Sequence, residues 1–135
     1  MSIENVERIH GVAQYDLIVI GSGSGNTLIG PEWDDKKVAL IDGGIFGGTC
    51  LNVGCIPTKM YVYPATIAQK TREVKHLGVD AHVDAVHWAQ IRDRIFASRI
   101  DPIVEGGREW RAGLPNVDFY DQYARFVGSH TVELT

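Results

Sequence analysis

Two thiols set the chemistry available to this sequence. Cys50 and Cys55 are its only cysteines, with four residues between them. They lie in residues 47–59, GGTCLNVGCIPTK: Gly47 and Gly48 precede the first thiol, Gly54 sits between the two, and Pro57 and Lys59 follow the second. A disulfide across so short a loop restricts the unfolded chain little, so a structural staple explains the pair poorly. A redox-active pair explains it better. In an ideal helix, Cα atoms five residues apart are roughly 8–9 Å apart, whereas a disulfide needs them within about 7 Å. A helix beginning here must therefore distort its first turn when the bond forms. Gly54 eases that distortion because it lacks a Cβ, and Pro57 removes a backbone donor just beyond. A bond held in strained geometry is easier to reduce. The plainer alternative is two reduced, buried cysteines, a common state for free Cys.

The elements that must position these thiols can be read around them. Residues 15–20, YDLIVI, form a short, nearly continuous apolar run, which predicts a strand buried on both faces of a parallel sheet. Residues 21–26, GSGSGN, follow at once. A G-x-G-x-x-G turn between a strand and a helix is the dinucleotide fingerprint: the first glycine allows the tight turn, and the second lets backbone amides approach a pyrophosphate. Gly21 and Gly23 fit those positions; the third is Asn26, which predicts looser helix–strand packing, partly compensated by Gly25. The next helix must be short, because Pro31 interrupts it and residues 32–37 are polar. Residues 37–41, KVALI, predict the second buried strand, and Asp42 ends it. An acid about 20 residues beyond the glycines is placed to bind a ribose hydroxyl; the alternative is an ordinary loop carboxylate. Residues 43–48 read as a loop, and the cysteine segment opens a helix ending near His76–Gly78. Residues 79–83 suggest a loop or edge strand. A second helix is predicted over residues 85–112, kinked or split at Pro102, with Trp88, Ile91, Ile95 and Phe96 on one face. Strands are predicted at 117–120, 123–127 and 131–134, the last two as a hairpin, and residues 1–14 as a loose N-terminal arm.

Composition excludes several classes. The chain has 135 residues, 44% hydrophobic and 22% charged, with a net charge of −4. These values suit one modest globular domain and give no basic surface for nucleic acid or membrane. No apolar run approaches the roughly 20 residues of a membrane helix, and no leader pattern opens the chain, so a cytoplasmic location is expected, where a persistent disulfide is more often catalytic. The histidines (His10, His76, His82, His87 and His130) lack the spacing of a compact zinc site, and no metal is expected. Nothing in the sequence reads as a Walker A motif or a serine nucleophile elbow.

The segment GGTCLNVGCIPTK closely resembles the redox-active segment of the class I flavoprotein (pyridine nucleotide) disulfide reductases, and the likeness extends from Tyr15 onward. The resemblance implies an α/β fold: the N-terminal portion of a Rossmann-like FAD-binding domain over residues 15–135, a parallel sheet with flanking helices plus a β-hairpin. It implies that Gly21, Ser22, Gly23, Ser24 and Gly25 cradle the FAD pyrophosphate and that Asp42 holds the adenosine ribose. Gly48 and Thr49 would approach the cofactor near the disulfide, and the backbone at Tyr123 and Ala124 would meet the adenine end. Cys55 would face the flavin as the charge-transfer thiolate, Cys50 would be the outer interchange thiol, and Lys59 would sit near flavin N5; without the motif, Lys59 reads as a solvated helix lysine. Electrons would pass from NADPH through FAD and the Cys50–Cys55 disulfide to a low-molecular-weight disulfide.

Within the family, the combination GSGSGN, a shortened first helix, GIFGGTCLNVGCIPTKM and RIDPI most resembles members acting on the disulfide of mycothiol. Glutathione reductases resemble one another in early arginines where this chain has Pro31 and Glu32. A dihydrolipoamide dehydrogenase and a non-catalytic nucleotide-binding module are the alternatives. Family members are longer and homodimeric, so the NADPH and dimerisation domains, with a His–Glu acid/base pair, are expected outside these residues, and this chain alone is expected to be inactive.

Overall fold

The computed structural model describes residues 11–135, so most of the expected N-terminal arm lies outside the described residues. Three strands form a parallel sheet in the order β1 (Leu17–Ile20), β2 (Val38–Ile41), β3 (Val117–Tyr120). The register runs Leu17–Val38–Val117 at one end to Ile20–Ile41–Tyr120 at the other. Strand β2 is buried along its whole length, as its continuous run VALI requires of a central parallel strand. Its Leu40 and Val38 pack with Val19, Ile29, Phe46 and Val117 in one apolar cluster, against which Trp33, Val104, Leu114 and Phe119 lean. Strand β1 is only partly buried, contrary to the expectation of burial on both faces. The reason is its place at the edge of the described sheet, with β2 on one side only.

The two crossovers differ in length. Between β1 and β2 the chain makes two short 3₁₀ turns, Ser24–Leu28 and Pro31–Trp33, in place of the expected short helix. Pro31 opens the second turn, where its missing N–H is no loss. Between β2 and β3 run α1 (Gly48–Asn52), α2 (Cys55–Glu73), a 3₁₀ turn (Val74–Leu77), α3 (Trp88–Ile95) and α4 (Asp101–Ala112). Gly78 follows the 3₁₀ turn at φ +78°, the left-handed stop expected there. Residues 79–83 form a loop, not a strand.

The helix expected over residues 85–112 begins later, at Trp88, and is divided before Pro102 rather than at it. A π-helical segment, Phe96–Ile100, separates α3 from α4, and Pro102 sits in the first turn of α4, a position that costs no hydrogen bond. Ile95 and Ile100, at the two ends of this bulge, are both fully buried. Pro64 lies inside α2 without ending it. The hairpin β4 (Ala124–Gly128) and β5 (Thr131–Leu134) pairs antiparallel, with an irregularity between Phe126 and Gly128.

Candidate functional site

The site begins where β1 ends. The Gly21 N–H donates to the Ile41 carbonyl at 2.7 Å, and Gly21 turns the chain at φ +96°, a left-handed conformation that glycine adopts without strain. The chain then enters the five-residue 3₁₀ turn, closed by the Asn26 N–H on the Gly23 carbonyl at 2.9 Å. With no long helix here, little macrodipole is available, and recognition of an anion falls on the loop amides themselves.

A second loop, after β2, lies against the first. Gly48 has φ +65°, and a Cβ placed on it would come within 2.6 Å of the Gly23 Cα. This backbone-on-backbone approach, which no side chain could share, joins the fingerprint loop to the start of α1. A buried polar knot lies beneath it. Ser22 is 2% exposed. Its Oγ donates to Asp42 Oδ2 at 2.5 Å and accepts from the Gly47 N–H at 2.8 Å, while its N–H donates to the same carboxylate oxygen at 2.7 Å. The Gly44 N–H donates to Asp42 Oδ1 at 2.8 Å. Burial pushes the Asp42 carboxyl up, but the bonds from Ser22 and Gly44 outweigh it and hold the group below the usual aspartate range. A carboxylate offers about four acceptor positions, and these three bonds leave one on Oδ1.

The thiols come next. The expected distorted helical turn takes the form of a complete break: α1 ends at Asn52, and α2 starts afresh at Cys55. A Cβ on Gly54 would meet the Thr49 carbonyl at 2.9 Å and the Cys50 Cα at 3.3 Å, so glycine is what lets the second helix begin beside the first thiol. Asn52 ties α1 back to the preceding loop by donating to the Phe46 and Gly48 carbonyls. Both cysteines are free thiols; Cys50 is half-buried and Cys55 exposed. A hydrogen bond with Cys55 pushes the Cys50 thiol up, desolvation adds to this, and the positive charge of Lys59 pulls weakly the other way. Lys59 is exposed, one helical turn beyond Cys55 on α2.

A cavity of about 550 Å³ opens between the loops. Gly21, Gly23, Ser24 and Gly25 form one side, and Gly48, Thr49, Cys50 and Cys55 the other. Ser22 and Asp42 are joined beneath this wall, and Lys59 and Ala124 do not line it. The Ala124 neighbour Tyr123 crowds Gly43, next to Asp42, so the hairpin starts beside the end of β2. A glycine wall of this kind fits the close approach of a diphosphate, and two thiols at its edge fit a redox group; in these respects the residues suit FAD. A roomier apolar groove of about 650 Å³ between α2, the 79–87 loop and α3 includes none of these groups. Among the described residues no cluster of three or more metal-ligating side chains occurs, and no helix is long and apolar enough to cross a membrane.

No family model matches the chain. It is 47% identical over 112 residues to the mycothione reductase of Mycobacterium tuberculosis (strain H37Rv), covering 83% of this chain and 24% of that protein. The glutathione reductase of Debaryomyces hansenii is 31% identical over 135 residues, 94% of this chain and 28% of its own length. Among solved structures, the Cu(II) complex of the HOCl-induced flavoprotein disulfide reductase RclA from Escherichia coli superposes with a TM-score of 0.66 at 26% identity, covering 87% of this chain and 24% of that one. The chain belongs to the pyridine nucleotide-disulfide oxidoreductase family. It spans about a quarter of the length of these family members.

The cavity-lining residues other than Ile20 and Gly54 are among those the sequence singles out, whereas the ties between the two loops carry no sequence signal. The Ser22–Gly47 bond, the Gly23–Gly48 approach and the Asn52 braces link segments whose pairing no spacing rule gives. Two expectations follow. Gly48→Ala places a side chain at positive φ against Gly23, and it should cost about 2–4 kcal/mol in chemical denaturation; an unchanged midpoint would show that the loops do not touch. Cys55→Ala removes the bond that pushes the Cys50 thiol up, so the pH midpoint of Cys50 alkylation should move down; a fixed midpoint would contradict the coupling.

Proposed function

We propose that this chain is the cofactor- and thiol-bearing portion of an FAD- and NADPH-dependent enzyme that reduces a low-molecular-weight disulfide, the disulfide of mycothiol. The observation that carries the reading is the single cavity with a glycine-walled loop on one side and Cys50 and Cys55 on the other. The loop of residues 21–25 would hold the diphosphate, through the amides of Gly23, Ser24 and Gly25, the remaining acceptor position of Asp42 would take a ribose hydroxyl, and the backbone near Ala124 would border the adenine. Bound FAD would supply the two-electron relay from a nicotinamide to the Cys50–Cys55 disulfide. Lys59, through its charge, would favour thiolate at the pair.

The substrate half-reaction follows from thiol–disulfide exchange. Cys50, as thiolate, attacks one sulfur of the substrate, forming a mixed disulfide and releasing the first thiolate, which takes up a proton. Cys55, as thiolate, attacks the Cys50 sulfur, closes the Cys50–Cys55 disulfide and releases the second. The substrate gains two electrons and two protons; the pair loses two electrons. Support for mycothiol disulfide comes from the 47% identity to a protein named mycothione reductase and from Pro31 and Glu32 at the positions where glutathione reductases resemble one another in carrying arginines. The nicotinamide site, a homodimeric assembly and a cytoplasmic location belong to the same proposal for the whole protein.

The test is NADPH oxidation by the full-length protein loaded with FAD, offered the disulfides of mycothiol, glutathione and lipoamide. Turnover is expected with the first, with a loss of about a thousandfold or more in Cys50→Ser and Cys55→Ser. Preference for lipoamide, or undiminished turnover in either variant, would overturn the assignment.

A further inference from the structure

Arg111, in the last turn of α4, is 5% exposed. None of the described ion pairs includes it. Burying a charge is costly unless it is compensated. Here the compensation is two backbone carbonyls: Nη1 donates to Ile29 O and Nη2 to Asn26 O, each at 2.9 Å, across 82 and 85 residues of sequence. The guanidinium also lies over the Trp110 ring, 4.3 Å from its centroid. Both carbonyls belong to the end of the 3₁₀ turn that follows Gly23; the Asn26 carbonyl also accepts the Ile29 N–H at 3.2 Å, so Arg111 adds a second bond there. The described buried side-chain atoms without a hydrogen-bond partner are Arg111 Nε and Asn26 Oδ1, and both belong to this junction. A fixed positive charge is thus left directly behind the glycine loop.

We propose that Arg111 is a positioning residue for the diphosphate group: it clamps the Asn26 and Ile29 carbonyls so that residues 23–25 keep their amides toward the cavity, and its buried charge adds to the attraction of that loop for an anion. The proposal rests on the assignment of this loop to FAD. A long helix would hold such a loop through its own hydrogen-bond ladder. Here five residues of 3₁₀ turn cannot, and a side chain from α4 takes over.

The test uses the full-length apoprotein, titrated with FAD by quenching of flavin fluorescence, for the wild type, Arg111→Lys and Arg111→Met, alongside the melting temperature of each apoprotein. Hydrogen bonds from a charged donor predict an affinity loss of about tenfold in Arg111→Lys, which keeps the charge but cannot span both carbonyls, and about a hundredfold in Arg111→Met. The lysine variant should melt within a few degrees of the wild type, and its partial rescue separates positioning from bulk stability. If Arg111→Met does not fold, Arg111→Lys decides. Affinity within twofold of wild type in Arg111→Lys, or equal losses in two folded variants, would overturn the proposal. A wild type that binds no FAD would overturn the underlying reading, a failure visible without any substitution.

Discussion

The carboxylate of Asp42 is the point on which the site depends. It sits at the end of the most buried strand and takes three hydrogen bonds, two from Ser22 and one from Gly44. Ser22 in turn receives the Gly47 N–H. One acidic group at the tip of β2 therefore fixes the loop after β1, the loop after β2 and, through Gly47, the helix that carries Cys50. Charge-assisted hydrogen bonds of this kind are short and directional, which suits a junction that must hold two loops at backbone contact. Removing the charge would loosen both sides of the cavity together.

The thiols are held by an opposite device, an interruption. A continuous helix would keep Cys50 and Cys55 too far apart for bonding. The break at residues 53–54 ends that separation and lets α2 begin beside Cys50, and its cost is reduced by a glycine, since a Cβ there would collide with the first turn. The site thus combines a rigid polar anchor with a local weakness in helical structure. A rigid wall suits binding, whereas the proposed alternation between bonded and free sulfurs would need backbone that tolerates both.

Much of this was legible in the sequence because it is local. The runs at 17–20 and 38–41, the glycines at 21 and 23 and the CxxxxC segment announce themselves by spacing, and the parallel sheet, the turn and the helix break follow from them. The π-helical bulge did not, because Pro102 drew attention to a break that the chain makes earlier, at Phe96–Ile100, around buried Ile95 and Ile100. The shortened crossover was anticipated as a helix; Pro31 and the polar residues after it left only 3₁₀ turns. The roles of Asn52 and Arg111 were invisible, since an asparagine bracing carbonyls or an arginine reaching back 82 residues leaves no periodic trace. Asp42 was expected to bind ribose, and the structure gives it a prior engagement within the chain.

The central claim is that Cys50 and Cys55 act as one two-electron unit beside a bound flavin. Its most direct measurement is the count of alkylatable thiols at these two positions, by mass spectrometry, in the FAD-loaded full-length protein kept oxidised or reduced anaerobically with NADPH. No label is expected at either cysteine in the oxidised protein, and label at both after reduction. Equal labelling of Cys50 and Cys55 in both states would mean that the two thiols never bond, and would contradict it.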